Sequence, residues 1–252
     1  MGSGTSRLIA PVMFQPPRPA TYTYATMGAP PLYAVDHVPC LFFRTVHQPR
    51  GLILYLHCSA VDLGMICRVT QRLARNTGCA VLAPEYPGYG TLHAQTPSAE
   101  GAVANAMRVY AYAVRTFDLP ILVVGRSIGS GVAGQLCRRL YCSPDSQHLR
   151  RPAALVLLSP FQSMASMAAG LGQSMSDGLV YLYNTEEAVQ HITCPTVVMH
   201  GDRDEFIPPS QGDAVVRASA APIKRFVLLP NSTHARLDWR RIETEVATLA
   251  RC

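Results

Sequence analysis

The sequence has no apolar run approaching the ~20 residues that a membrane-spanning helix requires. Its first residues also lack the apolar core of a secretory signal, so we predict neither feature. No internal repeat is visible, which excludes solenoids and propellers. Basic residues are scattered rather than interleaved with aromatic residues, so the net charge of +6 does not indicate nucleic-acid binding.

The eight cysteines stand singly and form neither a C-x-x-C pair nor a cluster with histidine at zinc-binding spacing. Several lie in apolar runs, which is typical of buried, reduced thiols in an intracellular protein. We therefore predict no disulfide framework and no metal site. The sequence also gives no sign of an organic cofactor.

Short apolar runs alternate with helical periodicities along most of the 252 residues, of which 48% are hydrophobic. This pattern predicts an α/β domain with a mostly parallel sheet, helices on both faces and strands that are buried on both sides. The predicted strands are Leu41–Thr45, Leu52–Leu56, Ala80–Ala83, Ile121–Val124, Leu155–Leu158, Thr196–Met199 and Phe226–Leu229.

Three helices are predicted from signals at their ends. The first begins near Asp62, and Gly78 suits its left-handed C-terminal cap. The second has Thr96 as its cap and Pro97 as its first residue. The last is an amphipathic helix near the end of the chain, in which apolar residues recur at steps of three and four: Trp239, Ile242, Val246 and Leu249.

Two segments differ in composition from the rest of the chain. Residues 1–35 are rich in Pro, Thr and Tyr and predict an extended arm, which leaves residues 36–252 as a single domain. The segment of about residues 160–194 is rich in Met, Ser, Gly and Ala and predicts a minimal cap of one or two short helices beside an open groove. Its methionines are predicted to fill the core, with a flexible apolar rim for a lipid chain as the alternative. They are Met164, Met167 and Met175.

The most informative motif is G-x-S-x-G at residues 125–129, directly after the apolar run Ile121–Val124 and before a helix-compatible segment. A strand, this motif and a helix together are typical of a nucleophile elbow. The glycines permit a sharp turn, which lifts the Ser127 hydroxyl above the edge of the sheet. We therefore predict that Ser127 is the nucleophile of an acyl-transfer reaction.

A serine nucleophile needs a base, and the base needs a carboxylate. His234 follows the last predicted strand and comes last along the chain, so we predict it as the base. Asp202, Asp204 and Glu205 compete for the acidic role. We choose Asp204, and we predict that Asp202 orders its loop through backbone contacts and that Glu205 faces solvent.

The oxyanion that forms on the substrate needs two backbone N–H donors. Ile128, the residue after the nucleophile, is predicted to provide one of them. Ser59, in the loop after Leu52–Leu56, is predicted to provide the other. Cys58 beside it is a weaker candidate for a thiol nucleophile, because it does not lie in an elbow.

These motifs resemble those of the α/β-hydrolase domain-containing 17 proteins, which are serine hydrolases that remove palmitate from proteins. Residues 56–65, LHCSAVDLGM, are similar to the family's HGNAVDLGQM segment. Residues 85–90, EYPGYG, resemble its DYSGYG, and residues 125–129 resemble its GQSIG. Residues 200–205, HGDRDE, resemble its HGTEDE, and residues 14–23 resemble part of its N-terminal arm.

The resemblance implies the α/β-hydrolase fold and the triad Ser127, Asp204 and His234. It also implies hydrolysis of the thioester between a long acyl chain and a cysteine of a membrane-attached protein, without a cofactor. Three alternatives remain: a carboxylesterase or acylglycerol lipase, an α/β-hydrolase-type peptidase, and an inactive binding module with the same fold. The predicted partners are S-acylated proteins or lipid-like acyl esters, and the default oligomeric state is a monomer.

The sequence departs from this family at two places. Cys58 stands where the family has glycine, and the family's N-terminal cysteine cluster is missing. The start of the chain instead fits the pattern for myristoylation of Gly2, with a chance match or a cloning remnant as the alternatives. One myristoyl chain with a mild positive charge predicts a cytoplasmic protein that binds the cytosolic face of a membrane reversibly.

Overall fold

The computed structural model describes residues 13–27, 32–44, 46–170 and 183–251, so that Gly2 and Met175 lie outside the described residues. Strands in the described part form one sheet in the order β1-β2-β4-β3-β5-β6-β7-β8. β1 and β2 are antiparallel to their neighbours, and the other strands are parallel. The strands are β1 Leu32–Val35, β2 Val38–Phe43, β3 Leu52–Leu56, β4 Ala80–Pro84, β5 Ile121–Arg126, β6 Ala154–Leu158, β7 Thr196–Gly201 and β8 Lys224–Leu229.

Helices cover both faces of this sheet. Apolar residues of α1 and α7 pack on one face, and those of α2, α3, α5 and α6 pack on the other. The predicted architecture of a mostly parallel sheet between two helical layers is therefore confirmed. The helices of the described residues are α1 Leu63–Thr77, α2 Ala99–Thr116, α3 Ile128–Cys142, α4 Met164–Gly170, α5 Thr185–Val189, α6 Pro209–Ala218 and α7 Trp239–Leu249.

Helix α1 shows how the local sequence defines an element next to the site. The side chain of Asp62 accepts a hydrogen bond from the Met65 N–H and caps the N-terminus. Gly78 closes the C-terminus in the left-handed conformation, at φ 69°. Both ends agree with the prediction, and α7 contains the four apolar residues predicted for the final helix.

Helix α2 begins later than predicted. Its cap is Ser98, whose side chain accepts from the Gly101 N–H, and its first residue is Ala99. Thr96 and Pro97 therefore precede the helix, so their predicted roles are wrong. A serine that bonds to a backbone N–H three residues later satisfies a donor that the helix leaves without a partner.

The two edges of the sheet also differ from the prediction. β1 begins at Leu32, within the segment predicted as an arm, because it pairs with β2 through a tight hairpin. β8 is not buried on both sides, and Leu228 is 49% exposed. Among the helices that the structure describes, none combines the length and apolarity needed to cross a membrane.

Candidate active site

The site lies where the carboxyl ends of the parallel strands meet. In the register of the sheet, Leu56 of β3 pairs with Gly125 of β5, and Gly201 of β7 pairs with Leu229 of β8. The four loops that follow these strands consequently open at the same edge. Ligands of open α/β sheets bind at this edge, because the loops there present their side chains to a common crevice.

The turn after β5 has the backbone geometry that a nucleophile elbow requires. Ser127 has φ 53° and ψ −122°, a conformation that non-glycine residues seldom adopt. A Cβ atom at Gly125 would collide with the Gly129 carbonyl, and one at Gly129 would collide with the Leu56 carbonyl. The two glycines thus allow the strand, the turn and α3 to pack closely enough to present the Ser127 hydroxyl.

The structure brings together the three side chains predicted from sequence. The Oγ of Ser127 lies 3.0 Å from Nε2 of His234. The Nδ1 of the same ring lies 2.9 Å from Oδ2 of Asp204. Both distances are within hydrogen-bond range, so a proton can pass from the hydroxyl to the ring while the carboxylate orients the ring.

Asp204 accepts hydrogen bonds on both carboxylate oxygens. Oδ1 accepts from the N–H groups of Phe206 and Ile207, at 3.1 and 2.9 Å. Oδ2 faces His234 and also lies 3.3 Å from Nε2 of His200. Burial alone raises the pKa of the Asp204 carboxyl, but hydrogen bonds from the two histidines and the Ile207 N–H outweigh burial and hold the pKa far below its usual range. The carboxylate is therefore ionised at neutral pH.

The neighbours of Asp204 fix its loop. Asp202 accepts a hydrogen bond from the Ser232 N–H at 3.1 Å, as predicted for a residue that orders this region. Glu205 is exposed, as predicted, but it also accepts from the His234 N–H at 3.2 Å. His200, which the sequence reasoning missed, donates through Nε2 to the Ile207 carbonyl at 2.8 Å and shares the same N–H group with Asp204 Oδ2 at 3.3 Å. Its Nδ1 has no hydrogen-bond partner within the described part of the chain.

Arg126, inside the elbow motif, links the elbow to the loop of the base. Its Nη2 donates to the carbonyl oxygens of His234 and Ala235, at 2.9 and 3.2 Å. The guanidinium also lies 5.9 Å from the centre of the Trp239 ring. This side chain therefore fixes the backbone that carries the imidazole relative to the strand that carries the nucleophile.

The two predicted oxyanion donors lie beside the nucleophile. Ser59 and Ile128 both line the cavity that Ser127 and His234 enter. Ile128 is the first residue of α3, and the first N–H groups of a helix have no partner within the helix. Both residues thus lie beside the nucleophile, and their roles as oxyanion donors remain predictions.

A buried pair supports the loop that contains Ser59. The Nδ1 of His57 donates to the Cys58 carbonyl at 2.9 Å, and Nε2 lies 3.0 Å from Oε1 of Glu85. Both side chains are fully buried, and the imidazole stacks on the Tyr86 ring with 4.0 Å between centroids. The N–H groups of Leu63 and Tyr86 also donate to Glu85. The two oxygens of the Glu85 side chain offer enough lone pairs for all of these contacts.

Cys58 does not disturb this loop. The backbone of Cys58 does not have a positive φ, so its conformation does not require glycine. Cys58 is absent from the described lining of the cavity, whereas its neighbours Ser59 and Ala60 are part of that lining. The Cys58 thiol itself is half-buried.

The cavity above Ser127 is open and mostly apolar, with a volume of about 360 Å³. Phe206 is 59% exposed at this site, and its ring meets the His234 ring edge to face at 5.5 Å. Met164 is buried in the core as predicted, yet both Met164 and Met167 also contact the cavity. The lining consists of Met13, Gln15, Ser59, Ala60, Ser127, Ile128, Phe161, Met164, Met167, Phe206, Ile207 and His234.

Several supporting residues escaped the sequence reasoning. Glu85 and His57 were visible only as parts of motifs, and their pairing spans 28 positions of sequence. Arg126 lies inside the elbow motif, where any residue type is permitted. A histidine or glutamate at the end of a buried apolar strand is the signal that would have indicated His57, His200 and Glu85 as supporting groups. No group of three His, Cys, Asp or Glu in the described residues is placed to hold a metal ion.

Comparison with known proteins gives the class. No protein-family model matches the sequence. The chain is 30% identical to lysophosphatidylserine lipase ABHD12 of Macaca fascicularis over 196 residues, which are 70% of this chain and 47% of that protein. It is 27% identical to α/β-hydrolase domain-containing protein 17C of Mus musculus over 184 residues, which are 71% of this chain and 53% of that protein. The chain spans about half the length of these relatives.

A solved structure, TT1662 from Thermus thermophilus, superposes with a TM-score of 0.72 at 20% identity, over 88% of this chain and 98% of that one. This likeness concerns the fold alone. The fold and the site define an α/β hydrolase, as the motifs predicted. The chain is homologous to the α/β-hydrolase domain-containing proteins 12 and 17C, which confirms the family resemblance seen in the sequence.

Proposed function

We propose that the protein is a serine hydrolase that cleaves acyl esters, with Ser127 as nucleophile, His234 as general base and Asp204 as the group that orients the base. The observation that carries this proposal is the continuous chain of hydrogen bonds from Ser127 Oγ through both ring nitrogens to Asp204, at 3.0 and 2.9 Å. These groups come from three separate loops, and a purely structural role does not require them to converge at a cavity.

In the proposed reaction, Ser127 Oγ attacks the carbonyl carbon of the substrate while His234 Nε2 takes the hydroxyl proton. The negative charge that forms on the carbonyl oxygen accepts hydrogen bonds from the Ser59 and Ile128 N–H groups. The carbonyl re-forms, the bond to the leaving group breaks, and His234 protonates the leaving group. Water then attacks the acyl-enzyme by the same steps and releases the carboxylic acid and Ser127.

The lining of the cavity supports an acyl substrate. Phe161, Met164, Met167, Phe206 and Ile207 present an apolar surface beside Ser127. An alkyl chain transferred from water to such a surface gains about 0.8 kcal/mol per buried CH₂. A relative named as a lysophosphatidylserine lipase supports the same class of substrate.

We further propose that the preferred substrate is a long-chain thioester on a cysteine of a membrane-bound protein. The motifs shared with the domain-containing 17 proteins and the homology to 17C support this choice. The exposed Phe206 beside the nucleophile and the net charge of +6 suit a site that works at an anionic membrane surface. Because a thiolate is a good leaving group, the reaction needs little acid catalysis from His234.

Labelling with a fluorophosphonate probe tests the nucleophile. The wild-type protein should react and Ser127→Ala should not. Ser143→Ala is the matched control, because this serine lies at the far end of α3 and its side chain makes no capping bond. Equal labelling of the wild type and Ser127→Ala overturns the proposal.

Competition between substrates tests the finer proposal. We expect kcat/KM for a palmitoyl-cysteine peptide to exceed kcat/KM for the matching palmitoyl-serine peptide, which differs only in the atom of the leaving group. Lysophosphatidylserine in mixed micelles is the third substrate. A higher kcat/KM for either oxygen ester contradicts thioester specificity while leaving the hydrolase assignment intact.

A further inference from the structure

Residues 13–27, which we call the strap, form part of the cavity wall. Met13 and Gln15 belong to the lining of the cavity, together with Met164 and Met167 of the cap. Met13 is buried, and so is Phe14. A segment predicted as an extended arm therefore reaches the place where the substrate is expected to lie.

Aromatic packing holds the first part of the strap against the domain. The ring of Phe14 meets the rings of Tyr86, Tyr89 and Tyr183 edge to face, at centroid distances of 6.4, 6.3 and 6.4 Å. Tyr183 precedes α5, whereas Tyr86 and Tyr89 follow β4. The strap thus bridges the cap region and the loop after β4, and each aromatic contact adds to the apolar area that it buries.

Hydrogen bonds seat the second part. The backbone N–H of Thr21 donates to Oδ2 of Asp62 at 2.7 Å, and the Thr21 hydroxyl donates to Oδ1. The hydroxyl of Tyr22 donates to Oε2 of Glu85 at 2.9 Å. Asp62 and Glu85 are both fully buried, so these acceptors lie in the domain rather than on its surface.

Two glycines make room for these contacts. A Cβ atom at Gly64 would collide with the Thr21 side chain, and one at Gly90 would collide with the Tyr22 ring and with Glu85. Close approach of a backbone is one of the few reasons for glycine in the first turn of a helix, where Gly64 lies. The domain therefore leaves room for Thr21 and Tyr22 of the strap at these two glycines.

Two hydrogen-bonded connections link the strap to the oxyanion loop, residues 57–60. In the first, Tyr22 bonds to Glu85, and Glu85 bonds to His57, whose Nδ1 donates to the Cys58 carbonyl. In the second, the backbone of Gln15 bonds to the Tyr89 hydroxyl, which donates to the Ser59 carbonyl at 2.7 Å. Both connections end at the residues that position the Ser59 N–H.

We infer that the strap is a positioning and specificity-determining element of the active site: it completes the wall that contacts the acyl chain and holds the oxyanion loop in place. This inference rests on the proposed function. Tyr22 is a positioning residue, because it acts on the oxyanion loop through Glu85. Met13 is a specificity-determining residue, because it offers its side chain to the substrate.

The two roles predict different kinetic effects. Loss of the Tyr22 hydroxyl loosens the oxyanion loop and should lower kcat by about tenfold for short and long acyl chains alike, since every substrate uses the same oxyanion hole. Truncation of Met13 removes apolar contact and should raise KM for p-nitrophenyl octanoate by about tenfold, with little change for p-nitrophenyl acetate.

The test uses the full chain with Tyr22→Phe, Met13→Ala and the control Tyr24→Phe. Tyr24 lies in the same strap but is 60% exposed, whereas Tyr22 is 2% exposed. We measure kcat and KM for both p-nitrophenyl esters. Loss of kcat in Tyr22→Phe and a chain-length effect in Met13→Ala, with neither in Tyr24→Phe, support the inference. If kcat and KM of Tyr22→Phe and Met13→Ala match those of Tyr24→Phe, the inference is overturned.

Hydrogen–deuterium exchange keeps this test independent of hydrolysis. The backbone N–H groups of residues 57–60 should exchange faster in Tyr22→Phe than in the wild type and Tyr24→Phe. Unchanged exchange overturns the proposed connection even if the wild type proves inactive. A wild type that neither reacts with fluorophosphonate nor cleaves an ester overturns the proposed function instead, so the two failures are distinguishable.

Discussion

The substitution Gly129→Ala tests whether the elbow must pack directly on the oxyanion loop. A Cβ atom at this position would lie 2.6 Å from the His57 carbonyl oxygen and closer still to that of Leu56. Both of these oxygens are backbone atoms, so no side chain can rotate to relieve the contact. Helix α3 and the end of β3 must therefore move apart.

The required movement sets the size of the effect. Real Cβ atoms essentially never approach such an atom within 3.0 Å, so the 2.6 Å contact alone demands at least 0.4 Å of movement. The closer contact with Leu56 demands more. Since a misplacement of about 1 Å can cost 10²-fold in rate, we expect kcat/KM to fall by about 10- to 100-fold.

Stability is the second observable, and two effects oppose each other. Alanine favours a helix over glycine by about 1 kcal/mol. Overpacking of a rigid contact typically costs about 1–3 kcal/mol, so we expect a net decrease in the free energy of unfolding. Since a domain of this size shifts its Tm by about 2–4 °C per kcal/mol, the decrease should be measurable in a thermal scan.

The matched control is Gly134→Ala, in the same helix. A Cβ atom there would come no closer than 3.4 Å to another atom, which is ordinary contact. We expect this variant to retain wild-type kcat/KM for p-nitrophenyl butyrate and to gain stability. Wild-type kcat/KM in Gly129→Ala would refute the claim that the nucleophile and the oxyanion donors depend on this close contact.

Three other variants test separate parts of the site. Asp204→Asn should lower kcat by about 10⁴-fold because the amide no longer fixes the His234 tautomer, and unchanged turnover would contradict the proposed role of this residue. The lowered pKa of Asp204 stabilises the folded state above the unfolded-state pKa of about 4, and this contribution is lost as pH falls through the folded-state value. Urea unfolding should therefore show a gap in stability between the wild type and Asp204→Asn that narrows below pH ~4. Arg126→Gln should lower kcat about tenfold with little change in KM, because the shorter amide cannot bond to both carbonyls beside the base. Gly2→Ala should reduce recovery of the protein with membranes in a flotation assay, and unchanged recovery would exclude a myristoyl anchor at this residue.

The central strands were predictable because a buried strand appears in the sequence as a short apolar run. A strand covered on both faces is mostly apolar, so the apolar run marks the limits of each central strand to within two residues. Leu52–Leu56 agrees with β3 to the residue. The order of Ser127, Asp204 and His234 along the chain then sufficed to predict the three loops that converge, because parallel strands end at the same edge of the sheet.

The edge strands were not predictable from such runs. β1 has the sequence LYAV and is partly exposed, and it exists because it pairs with β2. β8 begins with Lys224 and Arg225, which are both exposed, and only its last residue, Leu229, is buried. Pairing with a neighbouring strand defines these two strands, and the local apolar pattern carries little of that information.

The supporting residues of the site escaped for a related reason. Arg126 bonds to carbonyls more than 100 positions away, and Tyr22 bonds to Glu85 across 63 positions. Neither side chain belongs to a catalytic residue type with a fixed spacing. The strap also has no helical or strand periodicity, so its sequence alone could not show that it is part of the cavity wall.

The buried pair of His57 and Glu85 is better explained by its role in positioning the oxyanion loop than by a contribution to the free energy of unfolding. Burying both groups away from water costs free energy. An apolar pair of similar size often gives a fold at least the same stability. Apolar side chains, however, would leave the N–H groups of Leu63 and Tyr86 without the acceptor that Glu85 now provides. They would also leave the Cys58 carbonyl without the His57 donor. Directional bonds of this kind fix one conformation of a loop, whereas apolar packing tolerates several. Because the next residue, Ser59, must aim its N–H at a reacting oxygen, a loop with one conformation is what the proposed chemistry requires.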